Sequence, residues 1–102
     1  GDIIKNISRD KNGKITTENI LEYDLNGHVV KETYRLKDNS ICEYFYENGI
    51  ETKKTWKLSD GTVEELKPVG ENVYEGVRTY PDGRKVKIKE EPTMTLIIGP
   101  VE

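Results

Sequence analysis

The chain has 102 residues, 33% of them hydrophobic and 34% charged, with 16 Lys and Arg against 19 Asp and Glu for a formal net charge of −3. That length holds one domain, the composition lies outside the bias of a disordered tail, and interleaved charge signs offer no block that would recruit nucleic acid or an anionic membrane. The longest apolar run, Leu96-Ile97-Ile98, is far short of the roughly 20 residues of a membrane span, and no charged-then-apolar signal segment opens the chain.

In chain order, turn signals fall at Lys11-Asn12-Gly13, Leu25-Asn26-Gly27, Asp38-Asn39-Ser40, Glu47-Asn48-Gly49, Ser59-Asp60-Gly61, Val69-Gly70-Glu71-Asn72 and Pro81-Asp82-Gly83. Asn-Gly and Asp-Gly pairs supply the positive-φ residues of a two-residue hairpin turn. The segments between them are rich in Thr, Val, Ile and Tyr and show no helical apolar period. The fold class read from this is all-β: an antiparallel meander of about eight or nine strands linked by Asn-Gly and Asp-Gly hairpin turns, forming a single-layer extended sheet. Residues 1–92 form the β-meander domain. Pro92 ends the sheet or confines the segment after it to an edge, so residues 93–102 are a C-terminal strand, over Met94 to Ile98, or a tail.

An internal repeat supports the hairpin unit, because Leu21 to Cys42 aligns with Glu43 to Glu64 at a shift of 22 without a gap. Asn26-Gly27 then meets Asn48-Gly49, Tyr23 meets Phe45, and Tyr34 meets Trp56. Units of this kind bury surface only against their neighbours.

Two-residue turns pair the residues that flank them, and paired residues share a face. This register sets Tyr23 opposite Val30, Leu36 opposite Ile41, Phe45 opposite Thr52 and Leu58 opposite Val63. Tyr23, Tyr34, Phe45 and Trp56 then fall on one apolar face, while Lys53, Tyr44 and Tyr46 fall on the other. A three-residue loop Gly70-Glu71-Asn72 pairs Val69 with Val73 and places Val73, Val77, Val86 and Ile88 on the apolar face.

Catalytic chemistry finds no foothold in these residues, so the chain reads as a non-enzyme with no catalytic residues, metal ligands or cofactor. His28 is the sole histidine and reads as a turn-flanking polar group. Cys42 is the sole cysteine, without a neighbour to lower its pKa; with no disulfide possible within the chain, a reducing, cytoplasmic location is expected. The carboxylates alternate with lysines as cross-strand ion pairs on a solvated face. Asn6-Ile7-Ser8 formally matches a glycosylation acceptor and reads as a chance match. Trp56 and Tyr34 read as structural rungs of the sheet. The run Tyr44-Phe45-Tyr46 puts rings on both faces, so at least one face presents aromatic surface to a partner.

The chain resembles the C-terminal G-box domain of the centriole assembly factor CPAP family. The likeness lies in Asn26-Gly27 followed by Val30-Lys31-Glu32, in the aromatic strand Tyr44-Phe45-Tyr46, and in Thr55 and the Tyr80-Pro81-Asp82-Gly83-Arg84-Lys85 segment. It covers roughly Asn12 to Ile88; the chain has one Pro-Asp-Gly where the family has many. The resemblance implies a scaffold at the centriole or centrosome that binds a proline-rich segment of a STIL-type scaffold protein and associates end to end. It also implies that Tyr23 and Phe45 pack on that peptide, beside Tyr44 and Tyr46, while Glu75 meets a basic residue. Tyr23-Asp24-Leu25-Asn26-Gly27 is also similar to the opening of a bacterial YD repeat, and Tyr46-Glu47-Asn48-Gly49 to the MORN-like repeats of some antitoxins. A structural or antitoxin module of that type, or a self-assembling sheet, is the alternative function.

Overall fold

The computed structural model describes residues 2–101. Nine strands succeed one another: β1 (Ile3–Arg9), β2 (Ile15–Tyr23), β3 (Val29–Leu36), β4 (Ile41–Glu47), β5 (Ile50–Lys57), β6 (Val63–Gly70), β7 (Val73–Thr79), β8 (Lys85–Glu91) and β9 (Met94–Pro100). They form one sheet in sequence order, each strand antiparallel to the next, with β1 and β9 as open edges. The expected meander is therefore present, and Met94–Pro100 is its ninth strand rather than a tail. Pro92 lies in the β8–β9 turn, and the strand after it is indeed an edge.

A single layer has no second sheet to press against, and its dimensions show how it responds. The radius of gyration is 15.3 Å, above the ~13 Å of a compact domain of this length. The smallest principal extent, 25 Å, still exceeds the ~10 Å spacing of packed sheets. The layer is thus strongly twisted and curled. Among the described residues only Cys42, Leu66 and Ile88 are buried and apolar, at 2%, 1% and 1% exposure. Leu66 and Ile88 flank Gly76 on either side in the register of β6, β7 and β8.

The turns decide which side chains share a face, and here the expected register needs correction. After β2, Asp24 N–H donates to His28 O and Gly27 N–H to Asp24 O, closing a three-residue loop in which Gly27 alone has positive φ, 83°. The Asp24 carboxylate holds this loop, accepting from the N–H groups of Asn26 at 2.9 Å and His28 at 3.0 Å. In the repeat, the residue at the same position is Tyr46, which offers no carboxylate. There Asn48 (φ 52°) and Gly49 (φ 79°) make the two-residue turn that pairs Glu47 with Ile50. One dipeptide therefore gives two turns, because a side-chain acceptor two residues before Asn caps the backbone differently. Three-residue loops recur before β4, β6 and β8, where Asp38, Asp60 and Asp82 accept from Ser40, Thr62 and Arg84 N–H.

Each extra loop residue shifts the pairing by one unless a bulge takes it up. Bulges do so in two of the hairpins: β2 and β3 keep the expected pairing over Thr17 to Glu22, although Tyr23 meets Val29 rather than Val30. Glu71-Asn72 is a two-residue connection across which Gly70 pairs with Val73, and a bulge then sets Pro68 opposite Tyr74. Elsewhere the expected pairs are replaced: Ile41 lies opposite Arg35, not Leu36, and Val63 opposite Lys57, not Leu58. Phe45 lies opposite Lys53, with Thr52 left over in a bulge. Val77 pairs with Lys87 and Arg78 with Val86, so Val86 and Ile88 lie on the face opposite Val77.

Two faces result. The aromatic face carries Leu21, Tyr34, Cys42, Tyr44, Trp56, Leu66 and Ile88 in cross-strand rows. The lysine face carries Lys31, Glu43, Phe45, Lys53, Thr55, Lys57, Lys67, Glu75 and Lys87.

Candidate binding face

The aromatic face is built by alternation. Tyr44 and Tyr46 project to one side of β4 while Phe45 projects to the other, as the run of three aromatics demands. Tyr34 on β3 pairs with Cys42, and Cys42 in turn with Trp56, bringing a Tyr and the Trp into one row. Tyr34 and Tyr44 meet edge to face, with centroids 6.0 Å apart and planes at 86°, a favoured ring geometry. Tyr74 comes from β7, and Tyr34, Tyr44, Tyr46, Trp56 and Tyr74 are all half-buried. They are neither sealed in a core nor free in solvent.

Lys54 lies at the centre of this face at 6% exposure. Its ammonium stands 5.3 Å from the Tyr44 ring centroid, 5.7 Å from Trp56 and 4.7 Å from Tyr74, and forms an ion pair with Glu90 Oε1. Lys54 belongs to β5 and Glu90 to β8. In a flat sheet those strands stand about 14 Å apart, three steps of ~4.8 Å, so the pair marks the curl of the sheet toward this face. Tyr74 makes a second link across the curl, donating to Glu51 at 3.0 and 2.9 Å. The curl leaves a groove between Trp56 and Leu58 on one side and Glu91, Thr93 and Met94 on the other.

The hydroxyls of Tyr34 and Tyr74 are held as donors to carboxylates. Tyr34 donates to Glu32 Oε2 at 2.7 Å, and this bond, with burial second, pushes its pKa up to about 12. Burial raises the phenols of Tyr44, Tyr46 and Tyr74 above their ordinary range too. These four phenols are therefore neutral at physiological pH. Burial likewise pushes the Cys42 thiol up to about 11, so it stays protonated and inert as a nucleophile. His28 is exposed, its Nδ1 3.6 Å from Asp24 Oδ2 at the turn. Among the described residues no three His, Cys, Asp or Glu side chains are grouped to hold a metal ion.

The lysine face is organised around Glu43, 7% exposed. Its carboxylate accepts from Lys31 Nζ at 2.8 Å, Lys57 Nζ at 3.2 Å and Thr55 Oγ1 at 3.0 Å. Burial alone would raise its pKa, but these partners outweigh burial and hold it below the usual carboxylate value of 4.5. Backbone N–H groups of His28, Ser40 and Thr62 similarly lower Asp24, Asp38 and Asp60. A carboxylate depressed in the folded state contributes stability above its unfolded pKa and loses it as pH falls through the folded one. Urea midpoints should therefore hold steady at neutral pH and fall below about pH 4.5. Glu43→Gln should shallow that acid limb, and an unchanged limb would show that Glu43 does not couple to folding.

The residues expected to share one peptide site are divided between the two faces. Tyr23, Tyr44 and Tyr46 lie on the aromatic face by strand alternation, whereas Phe45 pairs with Lys31 and Lys53 on the lysine face. Both ammonium groups lie over its ring, at 5.4 and 5.6 Å. Glu75 is also on the lysine face, paired with Lys67 and Lys89. Tyr23 and Phe45 thus do not share a face. Lys53, expected on the face away from Phe45, is its immediate neighbour. Sequence reasoning did not find the roles of Tyr74 and Lys54; the turn aspartates, which set the register, were the signal that could have placed them. Compared with protein-family models, curated proteins and solved structures, the chain matches none.

Proposed function

We propose that this chain is a non-catalytic binding module that takes an extended, proline-containing protein segment across its aromatic face. The observation that carries this reading is the set of half-buried rings of Tyr34, Tyr44, Tyr46, Trp56 and Tyr74 on one uncovered, inward-curling face. Aromatic grooves favour proline-rich segments, which are already extended and so lose little entropy on binding. The neutral phenols keep that surface amphipathic. The resemblance to the centriolar G-box domains points to the same partner chemistry, a STIL-type proline-rich segment. On this geometry the contact passes to Trp56 and the tyrosines, away from Phe45 and Glu75.

Titration calorimetry with a blocked twelve-residue proline-rich peptide tests the reading. Trp56→Ala should weaken binding roughly thirtyfold, the effect of losing an aromatic hot spot worth about 2 kcal/mol, with circular dichroism confirming that the sheet remains. Phe45→Ala, on the other face, should bind as the parent does. The converse result, loss with Phe45→Ala and none with Trp56→Ala, would move the site to the lysine face.

A further inference from the structure

We infer that the β9 edge, together with the lysines of β8, is a docking site for an extended acidic strand of a partner protein. Three observations converge there. The edge is open: β9 has β8 on one side and no strand on the other. It is also uncharged throughout its length and solvent-exposed, with Met94, Leu96, Ile97 and Ile98 at 54%, 39%, 58% and 61%. Edge strands are usually protected by charges, proline or a bulge that turns them away. The bulge of this hairpin, between Lys87 and Ile88, and Pro100 both lie near its end and leave Met94 to Ile97 in regular register.

The third observation supplies the partner's chemistry. Lys85, Lys87 and Lys89 project to one face of β8, and none of the three forms an ion pair among the described residues. Alternate strand residues lie about 6.7 Å apart, which is also the spacing of alternate side chains on any strand added alongside. Lys87 is paired with Gly99, so no β9 side chain stands beside its stem. An added strand with Asp or Glu at alternate positions would pair its backbone with β9. Its carboxylates would lie toward the three lysines and its apolar residues on the face of Ile97. This is strand addition, with main-chain bonds giving affinity and alternate side chains giving selectivity. A second copy docking through β1 fits less well, because Lys5 and Arg9 of that strand would bring positive charge toward the same lysines.

The test uses the whole chain and a blocked ten-residue peptide alternating Glu with Val and Thr, beside a twin carrying Lys for Glu. The acidic peptide should bind, and amide exchange should slow at the outward-pointing N–H groups of β9. Lys87→Glu should weaken binding roughly tenfold or more, while Lys37→Glu, in an exposed turn, should leave it unchanged. Equal binding of the Lys twin would overturn the proposal. So would binding without protection of β9, or an unaltered affinity in Lys87→Glu. Light scattering that shows the chain pairing with itself through β9, undisturbed by the acidic peptide, would assign the edge to a second copy instead.

Discussion

Gly76→Ala should cost more stability than any other single methyl added to this sheet, more than about 4 kcal/mol. A Cβ at Gly76 would stand 1.8 Å from the carbonyl oxygen of Glu65 and 2.8 Å from Leu66 Cα. Those atoms are backbone of β6, hydrogen-bonded to both neighbours, and cannot swing aside as a long side chain would. Leu66 and Ile88, two of the three buried apolar residues, flank the same point, so any shift that admits the methyl also opens the small core. Gly49→Ala is the matched control. No atom lies within 4 Å of its added Cβ, and only its φ of 79° resists substitution, a penalty of about 1 to 2 kcal/mol. Urea denaturation of both variants should leave Gly49→Ala folded with a lower midpoint and Gly76→Ala largely unfolded in buffer. A Gly76→Ala midpoint equal to that of Gly49→Ala would mean that β6 and β7 do not approach as described.

Lys54→Met should destabilise the domain by about 3 kcal/mol, because it leaves the Glu90 carboxylate without the cation that compensates its burial. The side chains of Lys54 and Glu90 are only 8% and 18% exposed, so water can replace little of what is lost. Glu90→Gln should cost less. The ammonium would still be held over the rings of Tyr44, Trp56 and Tyr74, and each such contact favours the charge by roughly 0.5 to 2 kcal/mol. The double variant Lys54→Met/Glu90→Gln should recover most of the loss, since no orphaned charge remains. Equal penalties for the two single variants would show that the ring cage does not hold the cation. Because the pair joins β5 to β8, Lys54→Met should also relax the curl, and the red shift of Trp56 fluorescence would report it. The groove proposed to hold the peptide depends on that curl, so the peptide should bind the folded single variant more weakly.

Strand content was legible because it depends on local properties. Turn dipeptides recur, and the segments between them lack a helical period, so neighbours in the chain were enough to indicate the all-β meander. The 22-residue repeat also marked real hairpins, with β2–β3 and β4–β5 as its two copies. The triple aromatic strand required rings on both faces whatever the register.

Which rings stood together depended on a finer balance. Asp24 and Tyr46 occupy equivalent places in the repeat, yet one accepts two backbone N–H groups and the other accepts none. That difference separates a three-residue loop from a two-residue turn, and a bulge at Thr52 or Val30 then decides how far the difference travels. Side chains alternate with a period of two, so one residue of slippage exchanges the faces entirely. The three-residue loop before β4, which no bulge takes up, therefore moved Phe45 away from Tyr23 and Tyr34 to the lysine face and brought Tyr44 to theirs, while the bulge at Thr52 kept Trp56 with Tyr34. The sequence by itself determined the strands, their order and the positions of the turns, all set by interactions within a few residues. Only the tertiary structure decided the membership of each face, the Lys54–Glu90 link across the curl and the close approach at Gly76, because each arises from strands brought together by the summed geometry of every turn and bulge between them.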